Sequence, residues 1–185
     1  MLHITLFFYK FMDTEESLIQ RIQRGEYDMF EKIYTTYFDK IYAFIFIKSN
    51  GDKTLTEDIC SETFMKAFEK LPEFHTEASN FRSWLYTIAY HTFIDFIKQP
   101  TPNALSETEA MEENNLLDLF EKKEKTKEIL SFLDTLGTDK KDLFLLRIRD
   151  QLKYDEIGEI LGKTEEACRQ EFSRILKKLI QKYHQ

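Results

Sequence analysis

Apolar residues recur at helical spacing along most of the chain. Leu18, Ile19 and Ile22 predict a short helix that ends near Gly25. Phe30, Ile33, Tyr34, Tyr37, Phe38, Ile41, Tyr42 and Ile45 predict a long one. Gly51 and Asp52 interrupt the pattern. Thr54 followed by Glu57 has capping-box spacing, which places a third helix over about 55–70. Its apolar face includes Ile59, Phe64, Met65 and Phe68. Pro72 disfavours helix in the residue before it and stops the run. After the loop PEFHTEASN, a fourth helix is predicted over 81–98 with Trp84, Leu85, Ile88, Phe93, Phe96 and Ile97. Residues 99–118 lose the period: Pro100, Pro102 and the acidic run Glu107, Glu109, Glu112 and Glu113 read as a flexible linker. Helices are expected again over 119–135, 139–149, 154–161 and 165–182. No strand pattern and no internal repeat stand out. The expected fold is all-α, two helical domains (13–98 and 119–185) joined by the linker.

Residues 1–11 (MLHITLFFYKF) form an apolar run far shorter than the ~20 residues that span a bilayer. No basic leader precedes it and no small-residue cleavage site follows. Met12 opens the amphipathic pattern, so one expectation is that it is the natural start and that residues 1–11 are dispensable. The other is a strand or helix turn packed on the core.

Composition narrows the class. The 185 residues include 17 Phe, 9 Tyr and 1 Trp, an apolar load that disordered chains lack. With 5 Gly and 3 Pro, an all-β fold rich in tight turns is excluded. Cys60 and Cys168 have no metal-ligand spacing and read as free thiols in a reducing, cytoplasmic setting. The net charge of −7 is uneven: −4 over 1–98, −4 over 99–128 and +1 over 129–185. Contact with DNA must therefore be local and weak for the isolated chain, because phosphate neutralisation supplies much of such affinity.

The strongest local signal is YDEIGEILGKTEEACRQEFSRILKKL. A short helix meets a tight turn at Gly162, Lys163 and Thr164, and a longer helix starts with Thr164 as N-cap. This is helix-turn-helix grammar, and Gly158 supplies the small residue that close approach of the two helices needs. Cys168, Phe172, Ile175 and Leu179 form a buried seam. Gln170, Ser173, Arg174 and Lys177 face the other way, with Arg169 on the flank, and suit base edges and phosphates in a major groove. An ordinary helical hairpin with a solvated face is the plain alternative, and Glu165, Glu166 and Glu171 favour it. Gly162-Lys163-Thr164 also mimics the end of a phosphate-binding P-loop. That motif needs a glycine where Ile157 stands and a strand where this chain has a helix, so nucleotide binding is rejected.

The fourth helix is the second signal. Phe81, Trp84, Tyr86, Tyr90, His91, Phe93 and Phe96 crowd into it. Aromatic faces hold unstacked bases at ~1–3 kcal/mol each, and Arg82 and Lys98 can steer a strand toward them. Trp84, Phe93 and Phe96 read better as core. Tyr86, Tyr90 and His91 lie off the densest apolar stripe and are expected at the surface. The polar stretch 76–80 is a candidate pocket for an extruded base. The third signal lies on the 57–70 helix, where Glu57, Asp58 and Glu62 rim the apolar Met65 and Phe68. Such a rim suits a basic protein partner, although a solvated charged face is the commoner case. Catalysis has little support. His3, His75, His91 and His184 show no metal-ligand pairing, and no serine sits in a nucleophile context. No enzyme activity, metal or cofactor is expected.

The order of parts resembles bacterial RNA polymerase sigma factors of the extracytoplasmic-function group. EDICSETFMKAFEKLPEF, FRSWLYTIAYHTFIDFIK, a linker and the helix-turn-helix follow one another over roughly 13–182. The resemblance implies that 13–98 is sigma region 2 and 119–185 is sigma region 4. It implies core RNA polymerase as partner, through its β′ clamp and β flap, with Asp58, Glu62, Phe64, Met65 and Phe68 as clamp contacts. It implies promoter DNA as the second partner. Asn80, Phe81, Arg82, Trp84, Tyr86, Tyr90 and His91 then take the −10 strand. Thr164, Arg169, Gln170, Ser173, Arg174, Lys177 and Lys178 read the −35 duplex. The acidic linker would thread toward the polymerase active centre, and an anti-sigma protein would mask the DNA-binding faces. The cytoplasm is the implied location, with no membrane insertion.

The chain departs from the family's pattern at Thr87 (often Arg), His91 (often Asn), Ala167-Cys168 (usually Thr-Val) and Glu171 (frequently basic). These changes bear on which promoter is read and how tightly. Glu171 falls on the flank of the helical wheel and need not block docking. Two other readings remain: a stand-alone helix-turn-helix regulator, and a sigma-fold interaction protein that has lost DNA reading.

Overall fold

The structure, a computed structural model, describes residues 14–75, 80–98 and 124–183. Among them run eight α-helices: α1 Glu15–Gln23, α2 Phe30–Lys48, α3 Lys53–Lys70, α4 Phe81–Lys98, α5 Glu124–Asp134, α6 Thr138–Ile148, α7 Tyr154–Leu161 and α8 Glu165–Tyr183. Short 3-10 turns at Tyr27–Met29 and Leu71–Glu73 precede α2 and follow α3. No strand occurs among the described residues. The expected linker, the extension over 1–12, the pocket at 76–79, helical residues 119–123 and the outer histidines His3 and His184 lie outside them.

Local chemistry sets the helix ends. Thr14 Oγ1 accepts from Ser17 N–H at 3.2 Å and caps α1, whose first turn carries Glu15 and Glu16 at the positive end of the helix dipole. The cap of α3 corrects the sequence expectation. Asp52 Oδ1 accepts from Leu55 N–H at 2.9 Å, so the helix begins at Lys53, and Thr54 lies inside it. Thr54–Glu57 and Asp52–Leu55 are both spaced by three. A carboxylate is the stronger acceptor for an orphan N–H at a positive helix end.

Helices α1 to α4 share an apolar core in which Ile19, Ile22, Ile33, Ile41, Ile45, Ile59 and Leu85 are buried. Helix α3 lies against α2 and α4. Gln23 Nε2 donates to the carbonyls of Leu71 (3.1 Å) and Phe74 (2.7 Å), pinning the α3–α4 connection to α1. Tyr37 Oη donates to the Glu15 carboxylate between α2 and α1. Both thiols are free and buried, and burial pushes Cys60 up to about 12, so it behaves as an inert core group. In the second half, Leu133, Leu143, Leu146, Leu152, Ile157, Cys168, Phe172 and Ile175 are buried among α5 to α8.

The turn between α7 and α8 is set by two glycines. Gly162 closes α7 in the left-handed region (φ 66°), and Lys163 N–H donates to Gly158 O at 2.9 Å. Thr164 Oγ1 accepts from Ala167 N–H at 3.2 Å, as expected of an N-cap. A Cβ on Gly158 would stand 2.6 Å from the Lys163 carbonyl oxygen. The need for a small residue therefore comes from the turn's own backbone more than from the facing helix.

The two halves pack on each other. Helix α4 lies against α7, and Lys48 Nζ meets Asp142 Oδ2 at 2.5 Å with both side chains 1% exposed. Arg149 Nη2 donates to Lys40 O at 2.9 Å, and the Arg82 guanidinium donates to the Asp150 carbonyl.

Gly158→Ala is expected to destabilise by about 3 kcal/mol, because a backbone clash has no side chain to rotate away. Gly162→Ala, with open space around its Cβ but a left-handed φ, is expected to cost about 1 kcal/mol. Urea unfolding of the two variants checks the ranking.

Candidate nucleic-acid interface

Helix α8 presents the clearest polar face. Its seam residues Cys168, Phe172 and Ile175 are buried, and Leu179 is half-buried. Thr164, Arg169, Gln170, Ser173, Arg174, Lys177 and Lys178 are all exposed. Two of them are occupied at the start of the helix: Arg169 pairs with Glu165, and Gln170 Nε2 donates to Glu166 Oε1 at 2.9 Å. Glu171 turns aside, as its flank position implies. Its carboxylate takes Lys163 Nζ at 3.3 Å, and Asp139 takes the same ammonium at 3.2 Å. Burial lowers the pKa of Lys163, but the hydrogen bonds it donates to Asp139 and Glu171 hold it above the ordinary lysine range. The turn is thus fastened to α6 and α8, and the Glu171 carboxylate is held aside by Lys163. What remains outward is a short basic strip fit for phosphates and base edges.

Helix α4 is different. His91 and Asn80 are exposed, and Arg82, Trp84 and Tyr90 are half-buried. Asn80 starts the helix: its Oδ1 accepts from Arg82 N–H at 2.9 Å and its carbonyl accepts from Ser83 Oγ at 2.9 Å. Trp84 leans on Phe74 (4.8 Å between ring centroids) and Phe81 (5.4 Å). The assignment of Phe81 as a strand contact is corrected: it is 2% exposed, held between Tyr37, Phe74 and Trp84. Tyr86 is corrected too. It lies off the main stripe, as expected, yet it is wholly buried, edge-on to Phe44 at 5.4 Å. The reason is that α4 is covered on a second side by α7. Burial, with the Asp150 carboxylate close by, pushes the Tyr86 hydroxyl well above the usual tyrosine range. Tyr90 is half-buried rather than free, with Lys48 Nζ 4.7 Å over its ring.

On α3, Asp58, Met65 and Phe68 are exposed, and Glu62 is half-buried with Lys66 at 3.4 Å. Phe64 is corrected: it is buried against Tyr34 (4.7 Å) and Phe38 (6.2 Å). One helical step separates it from Met65, and the stripe on α3 faces α2 at 64. Phe68, 38% exposed, stacks edge-on with Tyr27 (5.7 Å) and Phe30 (5.0 Å). Tyr27 is exposed beside it, and Tyr34 is exposed beside Phe64. This aromatic strip joins three elements, and sequence reasoning missed Tyr27 and Tyr34. The available signal was the excess of aromatics at the start of α2, more than one core-facing stripe needs.

Comparison with known proteins agrees with the geometry. The family model described as Sigma-70 region 2 matches residues 33–101, and that described as Sigma-70, region 4 matches residues 126–179. The chain is 29% identical over 161 residues to the ECF RNA polymerase sigma factor BldN of Streptomyces coelicolor, covering 82% of this chain and 59% of BldN. It is 30% identical over 142 residues to the RNA polymerase sigma factor YlaC of Bacillus subtilis, covering 73% of this chain and 80% of YlaC. The chain thus spans less than two thirds of BldN's length but most of YlaC's. The solved structure of CnrH in complex with the cytosolic domain of CnrY shares the fold, with a TM-score of 0.63 at 20% identity over 88% of this chain and 92% of that one. With both regions matched in order and YlaC matched over most of its length, the chain belongs to the extracytoplasmic-function group of sigma-70 RNA polymerase sigma factors, the alternative-sigma class of transcription initiation factor.

Proposed function

We propose that this chain binds core RNA polymerase and directs it to a distinct set of promoters. Residues 13–98 act as region 2, 99–118 as the acidic linker and 119–185 as region 4. The −35 duplex is read by α8 through Arg169, Gln170, Ser173, Arg174, Lys177 and Lys178, with Thr164 at its start. The melted −10 strand is taken by Asn80, Arg82, Trp84, Tyr90 and His91. The polymerase clamp takes Asp58, Glu62, Met65 and Phe68, extended by Tyr27 and Tyr34, and region 4 meets the β flap. The observation that carries this reading is α8: a buried seam on one side, and on the other an exposed basic strip whose neighbouring Glu171 is held by Lys163.

The role asks for no covalent chemistry. Melting follows from differential affinity: a protein that holds the unpaired strand better than the duplex shifts the population toward the open state. The polymerase supplies the basic channel that an acidic chain lacks. We place the chain in the cytoplasm; no helix among the described residues is long and apolar enough to cross a membrane. An anti-sigma protein that masks these faces is the expected regulator.

Multi-round transcription with purified bacterial core polymerase on fragmented genomic DNA tests the role. New start sites that require the chain are expected, and their absence overturns it. Arg174→Ala is expected to lower output from those sites about tenfold, the scale of one good contact to DNA (~1–3 kcal/mol). Unchanged output removes Arg174 from the interface. Phe68→Ala is expected to weaken core association severalfold while the fold stays intact, read by co-elution with core polymerase and by circular dichroism.

A further inference from the structure

Helix α8 carries three carboxylates, Glu165, Glu166 and Glu171. The first two take the polar side chain four residues on: Glu165 pairs with Arg169, and Glu166 accepts from Gln170. Glu171 breaks this rule. Of the positions three and four residues from it, Ala167, Cys168 and Ile175 offer no charge, and Arg174 does. Glu171 nevertheless leaves Arg174 alone, and its carboxylate takes Lys163 Nζ at 3.3 Å. The exposed Arg174 guanidinium has no partner among the described residues. Arg169 is in the opposite position. It is paired with Glu165, and its guanidinium lies 5.8 Å from the centre of the Tyr154 ring. Of these two arginines, Arg174 is the one held open.

The turn decides where the competing cation stands. Gly162 ends α7 at a left-handed φ of 66°, and Lys163 N–H donates to Gly158 O at 2.9 Å. Gly158 has no side chain, so the Lys163 carbonyl can approach it closely. The lysine side chain therefore leaves from a fixed point between α6 and α8. Asp139 Oδ2 on α6 holds its ammonium from a second direction at 3.2 Å. We propose that Lys163 is a positioning residue for −35 reading, which by capturing Glu171 keeps the Arg174 guanidinium free for DNA. The inference rests on the function proposed above and adds to it a residue outside the outward strip. Without the ammonium, the exposed Asp139 stays in water, whereas the half-buried Glu171 needs a new partner. Arg174, one turn on along the same helix, is the cation within its reach. A guanidinium engaged by that carboxylate is lost to phosphates and base edges.

The test uses the full chain with core polymerase on the start sites that require it. Lys163→Met is expected to lower output about threefold, the scale of one coupled pair of side chains. Lys163→Arg keeps the cation and is expected to match wild type. Glu171→Gln alone is expected to change little, and in the double variant with Lys163→Met to restore output. Arg174→Ala is expected to cost less on top of Lys163→Met than in wild type, because the guanidinium is already engaged there. A lysine that merely braces the turn gives no rescue by Glu171→Gln and losses that add. Either result overturns the proposal. A second readout needs no polymerase: exchange of the Arg174 Nε–H with water, followed by NMR in the free chain. It is expected to slow in Lys163→Met and to recover in the double variant, and unchanged exchange in Lys163→Met also overturns the proposal. Lys163→Ala takes the place of Lys163→Met should that variant lose helical content by circular dichroism. If wild type yields no start sites with core polymerase, the sigma reading itself fails, while the exchange series still decides whether Lys163 keeps Glu171 from Arg174.

Discussion

The last two turns of α2 have no face that tolerates water. Phe44, Ile45, Phe46 and Ile47 are four successive buried residues, and four successive positions on a helix point all the way round. Something must therefore cover α2 from every side. Phe44 meets Tyr86 on α4, Ile45 joins the core of the first half, Phe46 stacks on Tyr42, and Ile47 faces a crevice with Leu130. The second half of the molecule sits where it does because the first half leaves this end of α2 uncovered. Lys48 follows directly, and once the apolar end is covered its ammonium has nowhere to go except to a carboxylate. Asp142 supplies that carboxylate. Removing one member of such a buried pair costs ~3–5 kcal/mol, whereas replacing both with apolar groups is often neutral. The pair therefore fixes position more than it adds stability.

The same constraint explains which parts of the structure were legible in the sequence. Helical periodicity finds the stripe that a helix turns to its nearest core, and it found the seam of α8 and the core face of α2. The turn chemistry of Gly158, Gly162 and Thr164 is local, so the helix-turn-helix was readable from ten residues. Periodicity says nothing about a second cover. Tyr86 lies off the main stripe of α4 and looked free, yet α7 closes over it. The run from Phe44 to Ile47 was the visible warning, because no single-faced helix needs it. Phe64 and Met65 show a finer limit: adjacent residues at the edge of a stripe differ by about 100°, and only the position of α2 decides which is inside. The exposed aromatic strip was missed for another reason. Tyr27 reaches Phe68 and Tyr34 reaches Phe64 from other elements, and spacing along one helix cannot reveal those meetings.

Charge gives the third dimension of the argument. The face of α8 is basic only locally, in a chain whose net charge is −7. Its acidic neighbours are handled in pairs: Glu165 takes Arg169, Glu166 takes Gln170, and Glu171 takes Lys163. Only Glu171 sits close to the reading face in a half-buried position, and its partner is a turn lysine also shared with Asp139. A turn cation thus holds this carboxylate aside from the exposed face of α8. Exposed pairs such as Arg169–Glu165 are worth little in water and can be exchanged for phosphate contacts on docking.

The uneven charge of the chain bears on selectivity. A chain that bound DNA strongly alone would titrate onto nonspecific sites, since those sites vastly outnumber promoters. An acidic chain with a local basic strip avoids that. The halves meanwhile share one apolar cluster, in which residues from Leu18 to Phe93 meet residues from Leu133 to Ile175. Lys48–Asp142 and the carbonyl contacts of Arg82 and Arg149 add polar bonds to that cluster. They orient the halves with directional bonds beside the wholly buried Tyr86, and among the described residues they leave Asp142 Oδ1 and Arg149 Nη1 without hydrogen-bond partners.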